Sequence, residues 1–196
     1  MLIWLNGPFG VGKTQTAHEL HRRLPGSFIC DPEHLGFALH RMTPPKLRGD
    51  FQDAPLWREG TRRTLAGILM GCRGVVIVPM TVVVSQYHEE IVGALREAGF
   101  EVHHVTLLAS HATLLRRLRG RGEGRCSYGA QQIERCLGAL EGPTFAEHLN
   151  TDGKSIEQVA EHIAAHTELH LKSSSGNRLM RITRRLIVQW GHIRRD

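Results

Sequence analysis

Apolar residues gather in short blocks at 2–5, 27–30, 75–78 and 102–108, with a weaker block at 145–149. Each block is too short for a helix and reads as a strand buried on both faces of a parallel sheet. Between the blocks, apolar positions recur with helical period over 14–24, 33–42, 56–72, 86–98, 111–119, 130–140 and 155–169. Strand and helix alternate throughout. The pattern predicts an α/β fold with helices on both faces of one parallel sheet, where ligands collect at the carboxyl ends of the strands.

Two stretches break the alternation. Pro44-Pro45, Gly49-Asp50 and Asp53-Ala54-Pro55 make an irregular segment ahead of the third helix, too long for a simple turn and suited to shaping a substrate pocket. Residues 172–177, Lys-Ser-Ser-Ser-Gly-Asn, read as a flexible connection. They divide an α/β body, 1–171, from a tail, 172–196. No internal repeat is visible.

Directly after the first strand block, Gly7, Pro8, Phe9, Gly10, Val11, Gly12, Lys13 and Thr14 satisfy G-x-x-x-x-G-K-[ST] and lead into a helical segment. Backbone amides around such a bend, with the helix amino terminus behind them, form a concave anion site. The bend is expected to cradle a nucleoside triphosphate, with Lys13 reaching the β- and γ-phosphates and the Thr14 hydroxyl directed at Mg²⁺. Asp31 follows the second strand block and should emerge beside this loop. There it could support Mg²⁺, accept the proton of an attacking hydroxyl, or only turn the chain and cap the next helix. The strand at 75–78 ends in Pro79-Met-Thr81 without an acid, which leaves Asp31 as the carboxylate candidate for the metal.

The run Arg116 to Arg125 carries glycines at 120, 122 and 124 among its charges. Beside a phosphate loop it reads as a mobile lid at about 116–127, Arg117 packing on the nucleotide base and Arg121 meeting phosphate; the alternative is a solvated basic loop.

Composition narrows the class without choosing the function. The 196 residues are 41% hydrophobic and 22% charged, as expected of one compact domain. No stretch approaches the roughly 18 unbroken apolar residues of a spanning helix, and the first twelve residues lack the basic and small-residue features of a signal peptide. A cytoplasmic location is expected. The 4 cysteines form no C-x-x-C pair, so neither a disulfide framework nor a zinc site is indicated. A net charge of +6 suits an anionic partner. Much of that charge lies in 178–195, where Leu179, Ile182, Leu186, Trp190 and Ile193 share one helical face opposite Arg181, Arg184, Arg185 and Arg195. This basic amphipathic helix suits peripheral contact with an anionic membrane; packing on the body and nucleic-acid binding are the alternatives, the last the least favoured.

The loop Gly7 to Thr14, the Asp31-Pro-Glu33 turn, the Arg117 to Arg121 stretch and Asn150-Thr-Asp-Gly153 resemble the small-molecule kinases of the P-loop superfamily, among them shikimate kinase, gluconate kinase and chloramphenicol phosphotransferase. A further set of segments resembles the tunicamycin resistance proteins across the whole chain. These are Ile3-Trp-Leu-Asn-Gly7, Gly12-Lys-Thr-Gln-Thr-Ala17, Glu19-Leu-His-Arg-Arg-Leu24, Gly36-Phe-Ala-Leu39, Pro55-Leu-Trp-Arg58, Ile77-Val-Pro-Met-Thr81 and His192-Ile-Arg194. The resemblance implies a P-loop kinase-like three-layer fold whose five-stranded parallel sheet has the order 2-3-1-4-5. It also implies an ATP-binding protein that acts against tunicamycin, a uridine-containing nucleoside antibiotic, by Mg²⁺-dependent phosphorylation of a hydroxyl. Capture of the drug without chemistry, or kinase action on a nucleic acid or metabolite, would use the same features.

By the same resemblance the turn carrying Asp152 lies against adenine, and the segment between strands two and three holds the acceptor. There Phe37 or Trp57 could stack on a uracil while Arg41 or Arg58 holds polar groups; core packing for the aromatic pair and a solvated helix face for the arginines are the alternatives. His162, His166 and His170 fall on one helical stripe, which reads as a solvated face rather than a metal site.

Overall fold

A computed structural model describes residues 1–173. Five parallel strands are arranged in the order β2-β3-β1-β4-β5. They are β1 (Leu2–Asn6), β2 (Phe28–Ile29), β3 (Val76–Pro79), β4 (Val102–Leu108) and β5 (His148–Asn150). Helices α1 (Lys13–Arg23), α2 (Glu33–Met42) and α3 (Pro55–Gly71) connect the first three strands. Beyond β3, α4 (Ser85–His88) and α5 (Ala94–Glu97) are joined by a π turn, Glu89–Gly93. Helices α6 (His111–Arg119), α7 (Tyr128–Gln131), α8 (Ile133–Leu140) and α9 (Ile156–His166) complete the order. No helix among the described residues is long and apolar enough to cross a membrane. The amphipathic segment expected at 178–195 lies outside the described residues.

The central strand shows why the chain layers as it does. Every residue of β1 is buried, and its side chains alternate between two cores. Ile3 and Leu5 join Leu20, Ile77, Val105, Leu114 and Ile163 under α1, α6 and α9, whereas Leu2 and Trp4 join Trp57, Leu65, Val78 and Ile91 under α3 to α5. Two aliphatic faces on one strand require helices on both sides. Because β1 lies between β3 and β4, the bend that follows it is walled by the ends of both neighbours.

Several boundaries differ from the pattern along the chain. The second strand shrinks to two residues because it is an edge, with Phe28 49% exposed. The fifth begins at His148, because Phe145 instead sits in a 3-10 turn and packs against Cys136 and Leu140. The helix expected at 130–140 starts at Tyr128, where the Ser127 side chain caps it, and breaks at Gln132. Lys172, where the connection is expected to begin, exchanges backbone and side-chain hydrogen bonds with Arg23, at 2.9 and 2.7 Å; 174–177 lie outside the described residues.

On the α3 side of the sheet, the buried rings of His88 and His104 meet edge to face at 4.5 Å. Both nitrogens of His88 and Nε2 of His104 find no hydrogen-bond partner among the described residues. Burial lowers the imidazole pKa of His88 to about 4 and of His104 to about 3. Both are therefore neutral at pH 7, while in the unfolded chain each titrates near 6.5. The unfolded state takes up protons first, so stability is full above pH 6.5 and declines as pH falls toward 4. Between pH 7 and pH 5 the loss should be roughly 2 kcal/mol per imidazole. Urea unfolding across that interval checks this, with His88→Leu/His104→Leu expected to flatten the slope; a flat wild-type profile would refute it.

Candidate functional site

The bend after β1 is held from behind by one buried amide. Asn6 Oδ1 accepts from the backbone N–H of Gly7 at 2.8 Å and of Val82 at 3.0 Å, and Nδ2 donates to the Val82 carbonyl at 2.8 Å. The start of the loop is thereby fastened to the segment leaving β3. Gly7 has φ +142°, and a Cβ there would stand 2.5 Å from the Leu107 carbonyl oxygen, so no other residue fits between β1 and β4. At the far end of the loop, Gly12 begins α1 with no side-chain cap. No side chain caps the start of that helix, which is the condition for holding an anion there.

Lys13 closes the cradle. Its Nζ donates to the carbonyls of Gly7 at 2.8 Å and Pro8 at 3.1 Å and stands 5.7 Å from the centroid of the Phe9 ring. Burial lowers its ammonium pKa to about 8, and the Arg121 charge acts in the same direction. Glu33, Cys136 and Asp31 oppose the shift, in that order. A desolvated cation facing backbone carbonyls and two carboxylates fits a polyphosphate, whose oxygens supply the missing negative charge. Thr14 follows in the first turn of α1, and Asp31 stands within electrostatic range of Lys13; one hydroxyl and one carboxylate are oxygen donors of the kind Mg²⁺ takes.

Asp31 also caps. Its Oδ1 accepts from the Glu33 backbone N–H at 2.9 Å, which fixes the start of α2. The local and the functional reading of this residue are compatible. Glu33, which opens α2, supports the Lys13 charge more strongly than Asp31 does. Glu33 is not among the site residues expected from sequence; the signal for it is an acid in the first turn of α2 directly after Asp-Pro. Thr81 stands at the same junction: its Oγ1 donates to the Gly7 carbonyl at 2.9 Å, and its own carbonyl accepts from Gln52 Nε2 at 3.0 Å.

The arginine-rich segment opens on a hydrogen-bonded helix end. Glu123 N–H donates to the Leu118 carbonyl at 3.1 Å and Gly122 N–H to that of Arg119 at 2.9 Å. With Gly122 at φ +83°, this is the Schellman ending of α6. That glycine closes a helix. Arg117 is held too: Nη1 donates to the Val11 carbonyl and to Thr151 Oγ1, both at 3.0 Å, and Nη2 to the Thr151 carbonyl at 2.8 Å. It rivets the phosphate loop to the turn after β5. Arg121 lies within electrostatic range of Lys13. Asp152 accepts from the backbone N–H and hydroxyl of Ser110, at 2.9 and 3.2 Å, and hydrogen bonds with Thr113 and Ser110 keep its carboxyl below the usual range.

The four residues chosen for the acceptor separate into two pairs. Phe37 and Arg41 lie on α2, Phe37 half-buried with its ring 6.2 Å from Phe51 and Arg41 exposed. Trp57 is completely buried, and its Nε1 donates to the Pro32 carbonyl at 3.0 Å. Arg58, 8% exposed, bonds to Glu90 and to the Gln52 carbonyl, and its guanidinium lies 4.2 Å from the centroid of the Tyr87 ring. Neither Trp57 nor Arg58 offers a surface to an acceptor here. They brace the wall that carries Asp31 and Gln52.

Residues 2–143 match the AAA domain family. The solved tunicamycin resistance protein of Deinococcus radiodurans is 38% identical, with a TM-score of 0.75 over 88% of this chain and 99% of that one. A gluconokinase from Sinorhizobium meliloti 1021 shares the fold at 17% identity and TM-score 0.59, over 95% of each chain. Shikimate kinase from Bacteroides thetaiotaomicron does so at 20% identity and TM-score 0.58, covering 86% of this chain and 99% of that one. Comparison with curated proteins returns no significant match.

Proposed function

This chain belongs to the AAA domain family and to the tunicamycin resistance proteins with their P-loop kinase-like fold, and from that premise we propose an ATP- and Mg²⁺-dependent phosphotransferase acting on a hydroxyl of a uridine-containing nucleoside antibiotic. The observation that carries the reading is Lys13, a half-buried, largely desolvated cation with pKa about 8 at the mouth of an uncapped helix, within electrostatic range of Glu33 and Asp31. Nucleotide binding follows from the first half of that arrangement. A carboxylate pair beside the cradle serves the transfer.

Loop amides and Lys13 hold the β- and γ-phosphates, and Arg121 sets positive charge against the negative charge that develops on the phosphate oxygens in the transition state. Thr14 and Asp31 would hold Mg²⁺, which supplies charge neutralisation on the phosphate oxygens. Asp31 takes the proton of the acceptor hydroxyl as its oxygen bonds to the γ-phosphorus and the bond to the departing diphosphate breaks. Arg117 and the Asp152 turn position the base. Phe37 and Arg41 line the acceptor side.

Tunicamycin incubated with the protein and MgATP should gain the mass of one phosphate, with stoichiometric release of ADP. Tight drug binding without that gain would leave capture as the activity. Absence of ATP binding would remove the reading altogether.

A further inference from the structure

The two carbonyls that hold Lys13 each have a second donor. The Gly7 carbonyl oxygen accepts from Lys13 Nζ at 2.8 Å and from Thr81 Oγ1 at 2.9 Å; that of Pro8 accepts from Lys13 Nζ at 3.1 Å and from the Val11 N–H at 3.3 Å. The second donor to Pro8 belongs to the loop itself, whereas the donor to Gly7 arrives from the segment leaving β3, 74 positions away. Thr81 is well fixed for that contact. It is buried, its own carbonyl accepts from Gln52 Nε2, and the next residue, Val82, is tied through both its N–H and its carbonyl to the Asn6 amide. The Gly7 peptide is equally constrained, since its N–H donates to Asn6 Oδ1 and a Cβ on Gly7 would meet the Leu107 carbonyl. The Gly7 carbonyl is not free to turn toward another partner.

We propose that Thr81 is a positioning residue whose hydroxyl keeps the Gly7 carbonyl paired while Lys13 passes from the loop to a triphosphate. The inference rests on the reading of Lys13 as the cation that meets the phosphates. An ammonium has three N–H donors, and the loop carbonyls take two of them. Contacts to both a β- and a γ-phosphate need two, so at least one carbonyl must give its donor up. A buried carbonyl left unpaired costs roughly a factor of ten in an equilibrium. With the Thr81 hydroxyl and the Val11 amide in place, neither carbonyl is left unpaired, and Lys13 is released without that penalty. Thr81 thus acts on the nucleotide only through Lys13. Removing its hydroxyl leaves the nucleotide-free loop satisfied, because Lys13 still serves Gly7, and the cost falls on the bound state.

Calorimetric titration of the full chain with MgATP, together with urea unfolding of the nucleotide-free protein, tests this. Thr81→Val should weaken MgATP binding roughly ten-fold, and Thr81→Ser, which restores the donor, should stay within about two-fold of wild type. Thr81→Ala, the second variant, should behave as Thr81→Val does. Without nucleotide the two donors should be coupled, because they share one acceptor. Thr81→Val should change the unfolding constant by no more than about three-fold in the wild-type background and by roughly ten-fold more in Lys13→Met, where the Gly7 carbonyl loses its last donor among the described residues. A merely structural threonine would cost the same in both backgrounds. Additive effects in that cycle overturn the proposal, as does a loss of MgATP affinity in Thr81→Ser as large as in Thr81→Val. Wild-type binding with an unchanged affinity in Thr81→Val removes this inference alone, whereas a wild-type chain that binds no MgATP removes the functional reading along with it.

Discussion

Lys13→Met should abolish triphosphate turnover, by about 10³-fold or more, and at the same time make the protein more stable. The activity loss follows from removing the one cation the loop directs at the phosphates. The stability gain follows from its pKa of about 8 against 10.5 for an ordinary lysine. The unfolded chain binds this proton more tightly than the folded one. The penalty is therefore fully present below pH 8 and is relieved as pH rises toward 10.5; after discounting for partial exposure, roughly 2 kcal/mol should return in the Met variant at pH 7. Nucleotide binding should show the same linkage with opposite sense. Phosphate oxygens restore the ammonium, so above pH 8 binding must take up a proton, and ATP affinity should weaken by up to about ten-fold per pH unit. Calorimetry in buffers of different ionisation enthalpy measures that proton. An affinity constant from pH 7 to 10, or a destabilised Met variant, would contradict this account of Lys13.

Asp31→Asn should separate chemistry from binding. The amide oxygen can still accept from the Glu33 N–H, so the start of α2 survives the change. A lost general base should lower transfer by about 10²- to 10⁴-fold, with ATP affinity within about three-fold of wild type. Glu33→Gln should act differently. Glu33 is the largest electrostatic support of the Lys13 charge, so its removal should move the alkaline limb of ATP binding below pH 8. Steady-state kinetics and calorimetry on the two variants distinguish the roles. If Asp31→Asn transfers phosphate at the wild-type rate, the proton goes elsewhere and Glu33 becomes the candidate.

The elements that were legible in the sequence are those set by local interactions. Strand 102–108 and helices 33–42 and 111–119 have the expected bounds, because hydrophobic period and capping act within a few residues, as with Ser110 ahead of α6. The phosphate loop was legible for the same reason, since its geometry is carried by consecutive residues. Long-range partners were not. Asn6 reaches across 76 positions to Val82, and nothing in the local sequence announces that bond. Trp57 and Arg58 have side chains suited to ligands, yet Pro32 and Glu90 engage them once α2, α3 and the π turn assemble. The π turn itself departs from the helical period that would reveal it.

The brace between Trp57 and Pro32 has a consequence for how such a chain changes over generations. Asp31 and Glu33 take their positions from a fully buried indole, while Phe37, Arg41 and residues 43–49 lie outward of that anchor on the same ribbon. Substitutions in the outer ribbon leave the donor chemistry in register, because no buried contact between Trp57 and Pro32 is disturbed. Under the proposed transfer, one machine for handling triphosphate can thus be fitted to successive acceptors by rewriting its margin, and selection on a new acceptor would leave its record there first.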